Sequence, residues 1–335
     1  MARNPRLHRP LLALLATVLV MAGFPSAAPG TSASSPSHEP GAISSDRQKR
    51  TPPATRFRSG IDLVTLDVWV EGRDARFVPD LTPTDFLVLE NGHPQEVSLF
   101  VPEGGVPLAV LLLVDRSSSM AEAKLEHART AAIGFIQGLS PRDTVGVMAF
   151  DDGVERLAPV SRDHAAAARA VADLKASGRT ALYEALAVGL HELGSIPVES
   201  PEEPRRVVLV LSDGEDTTSV LAFEDVVERV RRSDALVYGI SLRANTKGRV
   251  LAPSFALAEF CRVTGGRAVA AIDPGQMVPI YDAIGLELRS LYRIGYTSRN
   301  STADGGWRSL SVRIGRTGLR ARSRTGYYAR RPASR

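Results

Sequence analysis

Asp115, Ser117 and Ser119 stand at alternate positions in the stretch Asp115-Arg116-Ser117-Ser118-Ser119. A turn leaving a strand can aim alternate side chains at one point. One carboxylate and two hydroxyls would then converge. These are hard oxygen donors, suited to Mg²⁺, Mn²⁺ or Ca²⁺ and poorly suited to zinc. So few carboxylates would leave the ion electron-poor, with coordination positions open to water or to a partner's carboxylate. The competing reading is a serine-rich turn whose Asp caps the following helix. Two later stretches bear on the choice. Gly178-Arg179-Thr180 precedes a helical pattern, which puts Thr180 at a helix entrance. Val207–Leu211 is an apolar run that ends in Ser212-Asp213-Gly214-Glu215-Asp216.

The elements that must hold these residues are legible around them. The unbroken apolar run Leu108–Val114 leads into Asp115. A run that short and that apolar indicates a strand buried on both faces, as in a parallel sheet covered by helices. Ligands bind at the carboxyl ends of such strands. From Val106 to Arg289 strand and helix patterns alternate. Strands are expected near Leu108–Val114, Thr144–Phe150, Val154–Pro159, Val207–Leu211, Leu236–Leu242 and Ala268–Ala271. Helices are expected near Ala123–Gly138, Ala165–Lys175, Ala181–Leu193, Ala222–Arg232, Phe255–Thr264 and Met277–Leu288. This alternation predicts an α/β fold, a doubly wound and mostly parallel sheet with helices on both faces. Val154–Pro159 follows an Asp152-Gly153 turn and is expected as the antiparallel edge strand.

The flanks read differently. Residues 1–30 have the pattern of a secretory signal peptide: Arg3, Arg6 and Arg9, then the apolar stretch Leu11–Phe24, too short for a comfortable membrane span. An uncleaved anchor is the minority alternative. Residues 31–55, rich in Ser, Pro and Ala, read as a disordered linker. Residues 56–103 read as a β-strand segment, with Ile61–Val70 alternating, Phe77-Val78 and Phe86–Glu90 following, an Asn91-Gly92 hairpin turn, and Gln95–Val101 as the return strand. Residues 104–290 hold the α/β unit. Residues 291–328 return to strands at Tyr292–Tyr296, Trp307–Ile314 and Leu319–Ser323, with Asp304-Gly305-Gly306 as a hairpin turn, and 329–335 form a basic tail. Each flank has too few strands for a domain of its own. They are expected to pair into a small β-sandwich, built from both ends, into which the α/β unit is inserted.

The order strand–DxSxS, loop Thr, strand–SDG resembles the von Willebrand factor A (VWA) family and its metal-ion-dependent adhesion site, over roughly Val106 to Arg289. The segment "LTPTDFLVLENGHPQEV" ahead of it resembles secreted bacterial VWFA-related proteins. The resemblance implies a site of Asp115, Ser117, Ser119, Thr180 and Asp213. Ser117 and Ser119 would ligate a divalent cation directly. Thr180 would join directly or through water, and Asp115 and Asp213 would act mostly through water. The implied cofactor is Mg²⁺, or Mn²⁺ or Ca²⁺. The implied partner is a protein presenting an acidic residue.

The signals for other chemistry are weaker. The six histidines are scattered and none has zinc-ligand spacing; His127, His164 and His191 are expected on solvated helix faces. No Gly-x-Ser-x-Gly elbow or phosphate-binding loop occurs. A phosphotransferase with a nucleophilic Asp115 would need an acid at 117, where a serine stands. Glu215, Asp216, Asp151 and Asp152 add charge at strand ends; Asp216 is expected to cap the Ala222 helix or to be solvated. Asn300-Ser301-Thr302 matches a glycan acceptor, a use that the resemblance to secreted bacterial proteins does not imply.

The single cysteine, Cys261, excludes a disulfide framework and is expected in a helix core. The 335-residue chain carries a formal net charge of +4. Part lies in the signal, and much lies in Arg308, Arg313, Arg316, Arg320, Arg322 and Arg324, expected on a solvated outer face or against anionic lipid or cell-wall polymer. Aromatic interleaving for nucleic acid is weak. The function expected is secreted or envelope protein–protein recognition or adhesion, not catalysis. The alternatives are a divalent-metal-dependent hydrolase in the same pocket, which lacks a placed general base, and a scaffold with a vestigial site.

Overall fold

The structure is a computed structural model that describes residues 63–196, 203–213, 215–242 and 254–331. The expected signal peptide, the linker and Arg56–Asp62 lie outside the described residues, as do the last four residues of the basic tail.

The chain enters through β1 (Leu63–Glu71), followed by β2 (Phe86–Glu90), β3 (His93–Gln95) and β4 (Val97–Val101). The α/β unit then runs β5 (Leu108–Asp115), α1 (Ala123–Gln137), β6 (Thr144–Phe150), β7 (Val154–Ser161), α2 (His164–Ala172) and α3 (Leu182–Gly194). It continues with β8 (Arg205–Ser212), α4 (Phe223–Arg232), β9 (Leu236–Leu242), α5 (Phe255–Thr264), β10 (Ala268–Ala271) and α6 (Met277–Arg289). The closing strands are β11 (Tyr292–Thr297), β12 (Trp307–Ile314), β13 (Arg320–Arg322) and β14 (Gly326–Tyr328).

The central sheet has the order β10-β9-β8-β5-β6-β7. Its pairings are parallel except for β7, which runs antiparallel on β6 at the edge. Alternation along β5 explains why its run is continuously apolar. Leu108, Val110, Leu112 and Val114 face the core under α1, α2 and α6. Ala109, Leu111 and Leu113 face the core under α3, α4 and α5. With both faces covered, no position on the strand is left for a polar residue until Asp115.

The flanking strands form two antiparallel sheets, β13-β1-β11-β4 and β14-β12-β2-β3. β1 pairs with β11, and β2 with β12, so strands more than 200 residues apart in sequence share ladders. The apolar faces of both sheets meet in one core of Leu66, Val68, Val70, Phe86, Val88, Tyr292, Ile294 and Tyr296 among others.

Four sequence expectations give way to the tertiary structure. Gln95–Val101 is not one return strand: β3 stays on β2, while β4 crosses to pair with β11 in the other sheet. The Asn91-Gly92 turn does hold, with φ of 49° and 81°, the left-handed pair that a two-residue hairpin needs. Asp304-Gly305-Gly306 does not close a hairpin, because β11 and β12 lie in different sheets. Phe77 contributes only an isolated bridge to Glu71. The arginines of the last strands are not uniformly solvated. Arg308 is buried against Asp304. Arg322 turns inward to Glu287 of α6.

A buried charge cluster ties the sandwich to the α/β unit. Arg205, at the start of β8, donates to Asp67 of β1 at 2.9 Å and to the carbonyl of Leu291 at 3.1 Å. Arg293 of β11 grips the same carboxylate with two contacts of 3.1 Å. Burial alone would raise the Asp67 pKa, but the two guanidiniums win and hold it down to about 2. On α6, buried Glu287 accepts from the hydroxyl of Tyr238 at 2.7 Å and pairs with Arg267 and Arg322.

Candidate metal centre

In the order of the central sheet, β5 and β8 are neighbours. The helix after β5 covers one face of the sheet and the helix after β8 covers the other. A crevice opens where successive crossovers leave on opposite faces. Asp115 and Asp213 stand at the two carboxyl ends that flank it. Val114 pairs with Leu211, so Asp115 and Ser212 come level. The Ser212 hydroxyl donates to Asp115 Oδ2 at 2.5 Å, a short bond of the kind a carboxylate acceptor gives.

The other oxygen of Asp115 accepts from the backbone N–H of Ser117 at 2.8 Å. Asp115 therefore shapes the turn that follows β5 and does not cap α1, whose first residue comes eight positions later, after a 3₁₀ turn at Ser118–Met120. The carboxylate is fully buried. Burial pushes its pKa above the ordinary value, hydrogen bonds from Ser212 and Ser117 oppose that, and the charge of Asp213 adds to it.

The two serines lie on the open side. Ser117 Oγ and Ser119 Oγ are 3.0 Å apart, and Ser119 Oγ donates to Asp213 Oδ1 at 2.6 Å. Oxygens from two strand ends, 94 residues apart in sequence, thus meet in one corner. The loop that carries Thr180 packs against the turn after β5. The Ser118 N–H donates to the carbonyl of Gly178 at 3.0 Å, and the Ser177 N–H to the carbonyl of Arg116 at 2.7 Å. Gly178 has φ +66° and lies so close to Asp151 and Asp152 that a Cβ there would collide with them. Thr180 itself is buried, and its backbone N–H and C=O both pair with Thr217, at 3.1 Å and 2.9 Å.

The structure brings Asp115, Ser117, Ser119 and Asp213 into one hydrogen-bonded cluster and sets the loop of Thr180 against it. The donors are hydroxyl and carboxylate oxygens throughout, so the set fits a hard divalent cation. Asp216 has another task. It accepts from the N–H of Tyr183 at 3.2 Å and from Ser219, which caps the entrance of α3, not the Ala222 helix. Asp151 pairs with Arg116 and Ser177; against the upward push of burial, these bonds hold its carboxyl below the ordinary value. His164 is half-buried, with its ring on the carbonyl of Asp143 at 3.0 Å, while His127 and His191 are exposed.

Two residues of the site have no local signal for their contacts. Ser212 is legible only as part of the Ser212-Asp213-Gly214 motif, and its contact depends on strand register. Lys124 lies outside every motif of the sequence. Its ammonium donates to the carbonyl of Ser119 at 2.9 Å and to Asp213 Oδ2. No spacing rule marks a lysine in a helical first turn for such a role.

Residues 110–215 match the von Willebrand factor type A domain family. Human inter-alpha-trypsin inhibitor heavy chain H4 is 29% identical over 156 residues, 44% of this chain and 17% of that protein. An uncharacterized protein of Synechocystis sp. is 34% identical over 113 residues, 33% of this chain and 26% of that one. The chain thus spans about a quarter or less of the length of these relatives. A solved von Willebrand factor type A structure from Catenulispora acidiphila aligns with a TM-score of 0.47 at 13% identity, over 83% of this chain and 76% of that one.

Proposed function

From the match of residues 110–215 to the von Willebrand factor type A domain family, we propose that the α/β unit of this chain is a metal-dependent protein-binding module. The single observation that carries the reading is the meeting of the Ser117, Ser119 and Asp213 oxygens at the ends of β5 and β8, with successive contacts of 3.0 and 2.6 Å. Ser117 and Ser119 would hold the cation directly, and Thr180 directly or through water. Asp115, with both oxygens already engaged by Ser117 and Ser212, is suited to act through water and to hold the turn in shape. Asp213 is the second outer carboxylate. When bound, a Mg²⁺, Mn²⁺ or Ca²⁺ ion supplies positive charge for an acidic residue of a partner protein. A hydrolase would need a base beside a metal-bound water; Asp115, Ser117, Ser119 and Asp213 are tied instead to one another, to Ser212 and to Lys124.

Adhesion outside the cytoplasm is part of the same proposal. It rests on the signal-like pattern of residues 1–30 and on the single cysteine, Cys261, which is fully buried. Among the described residues no helix is long and apolar enough to cross a membrane.

Two measurements test the module. Calorimetry with Mg²⁺ and Mn²⁺ should give heats for the full chain that Asp115→Ala abolishes and Ser119→Ala weakens about tenfold or more. Partner capture from an envelope extract should be lost in EDTA, return with Mg²⁺, and weaken in Thr180→Ala without loss of folding. Equal heats from wild type and Asp115→Ala would remove the metal assignment. Capture that ignores EDTA would remove the bridging role.

A further inference from the structure

We propose that Lys124 competes internally with the divalent cation for Asp213 and thereby sets the affinity of the site; the inference rests on the metal-site reading above. Lys124 is the second residue of α1. Its side chain folds back over the turn, so that the ammonium donates to the Ser119 carbonyl at 2.9 Å and to Asp213 Oδ2. The other oxygen of Asp213 accepts from the Ser119 hydroxyl at 2.6 Å. Both carboxylate oxygens are therefore engaged. The Asp213 side chain is only 2% exposed, while that of Lys124 is 31% exposed.

A positive charge in the first turn of a helix opposes the helix dipole. Lys124 stands in that turn, so its contact with Asp213 offsets an unfavourable position as well as forming an ion pair. The same contact cancels half of the negative charge that Asp115 and Asp213 bring to the corner. A divalent cation that approaches Asp213 meets an ammonium a few ångströms away, and the repulsion between them is large at the effective dielectric of a partly buried site. The cation must either tolerate that charge or displace it. Displacement is feasible because the lysine stem is flexible and its partly exposed head can turn to solvent.

The test is Mn²⁺ and Mg²⁺ binding by calorimetry on the full chain as wild type, Lys124→Met and Lys124→Arg. Lys124→Met keeps the stem and removes the charge, and should lower Kd by about tenfold. Lys124→Arg keeps the charge and should stay near wild type. In the absence of added metal, Lys124→Met should also melt at a lower temperature, because Asp213 loses its counter-ion. Damage to the turn would weaken binding, so tighter binding cannot come from a merely structural role. If wild type binds and Lys124→Met binds equally or more weakly, the competition is overturned and the metal site stands. If none of the three binds either ion, the metal-site reading falls and takes the competition with it.

Discussion

Asp115 and Asp213 stand at neighbouring strand ends, and their surroundings divide their roles. Asp115 is enclosed, with both oxygens engaged by Ser117 and Ser212. Removing the Ser212 hydroxyl leaves a buried carboxylate oxygen short of a donor, so Ser212→Ala should cost about 1–3 kcal/mol. Urea unfolding of the two proteins measures it, and an unchanged midpoint would mean that water replaces the hydroxyl at no cost. Close by, Glu122 precedes α1 with φ 60° and ψ −128°, a conformation that favours glycine. Its side chain makes no capping bond there. Glu122→Gly should therefore leave stability unchanged or raise it by up to about 1 kcal/mol. Thermal melts decide this, and a clear fall in Tm would show that the Glu122 side chain offsets the strain.

At the scale of elements, β5 is the strand on which the site depends, and its apolar run is what places Asp115. Leu112 is fully buried in the core under α1, α2 and α6. Leu112→Ala should destabilise by about 2–5 kcal/mol, through lost burial and the cavity left behind. The measurement is denaturant unfolding with the slope checked for two-state behaviour. A loss under 1 kcal/mol would mean that the sheet closes over the gap. The flanking elements show where local patterns stop being informative. Asn91-Gly92 encodes its own turn because its backbone demands positive φ. The break between β3 and β4 has no such local cause in the alternation. It follows from β11 offering β4 a partner in the second sheet.

For the molecule beyond its first 62 residues, the α/β unit and the sandwich share a buried ionic junction. Asp67, Arg205 and Arg293 come from β1, β8 and β11, so one cluster spans both layers. Breaking such a cluster from one side leaves buried charge uncompensated. Asp67→Asn should cost about 3–5 kcal/mol. The pH signature follows from the lowered pKa. The stabilisation is complete above the ordinary carboxylate value of 3.8 and is lost as pH falls through the folded value of about 2. Acid titration of stability should show the wild-type advantage over Asp67→Asn shrinking between about pH 4 and pH 2 and constant from pH 5 to 7. An advantage independent of pH would assign the effect to packing. The flanks depend on each other in the same way. Truncation after Arg289 removes the partner of β1 and the partner of β2. Limited proteolysis should then cut within residues 63–101. Continued protection of that segment would mean that it folds alone.

What the sequence by itself determined is the local and periodic part of this protein. Continuous apolar runs mark strands buried on both faces, helical periodicity marks the covering layers, and the order of Asp115, Ser117, Ser119, Thr180 and Asp213 points to hard-cation chemistry. These features were legible because each depends on neighbouring residues, or on residue types in a fixed order. The tertiary structure decided what depends on distance in the chain. The contact of Ser212 with Asp115 follows from the register of β8 on β5. The capping of α3 by Asp216 follows from how the loop after β8 folds back. Arg322 stands two residues from the exposed Arg320, yet it points inward because Glu287 waits there, buried on α6. Lys124 is one of four lysines in the chain, and nothing in its own neighbourhood gives it a role until the end of β8 places Asp213 beside it. Charges choose partners by proximity in space, and a linear pattern carries no information on which carboxylate the fold will bring within reach.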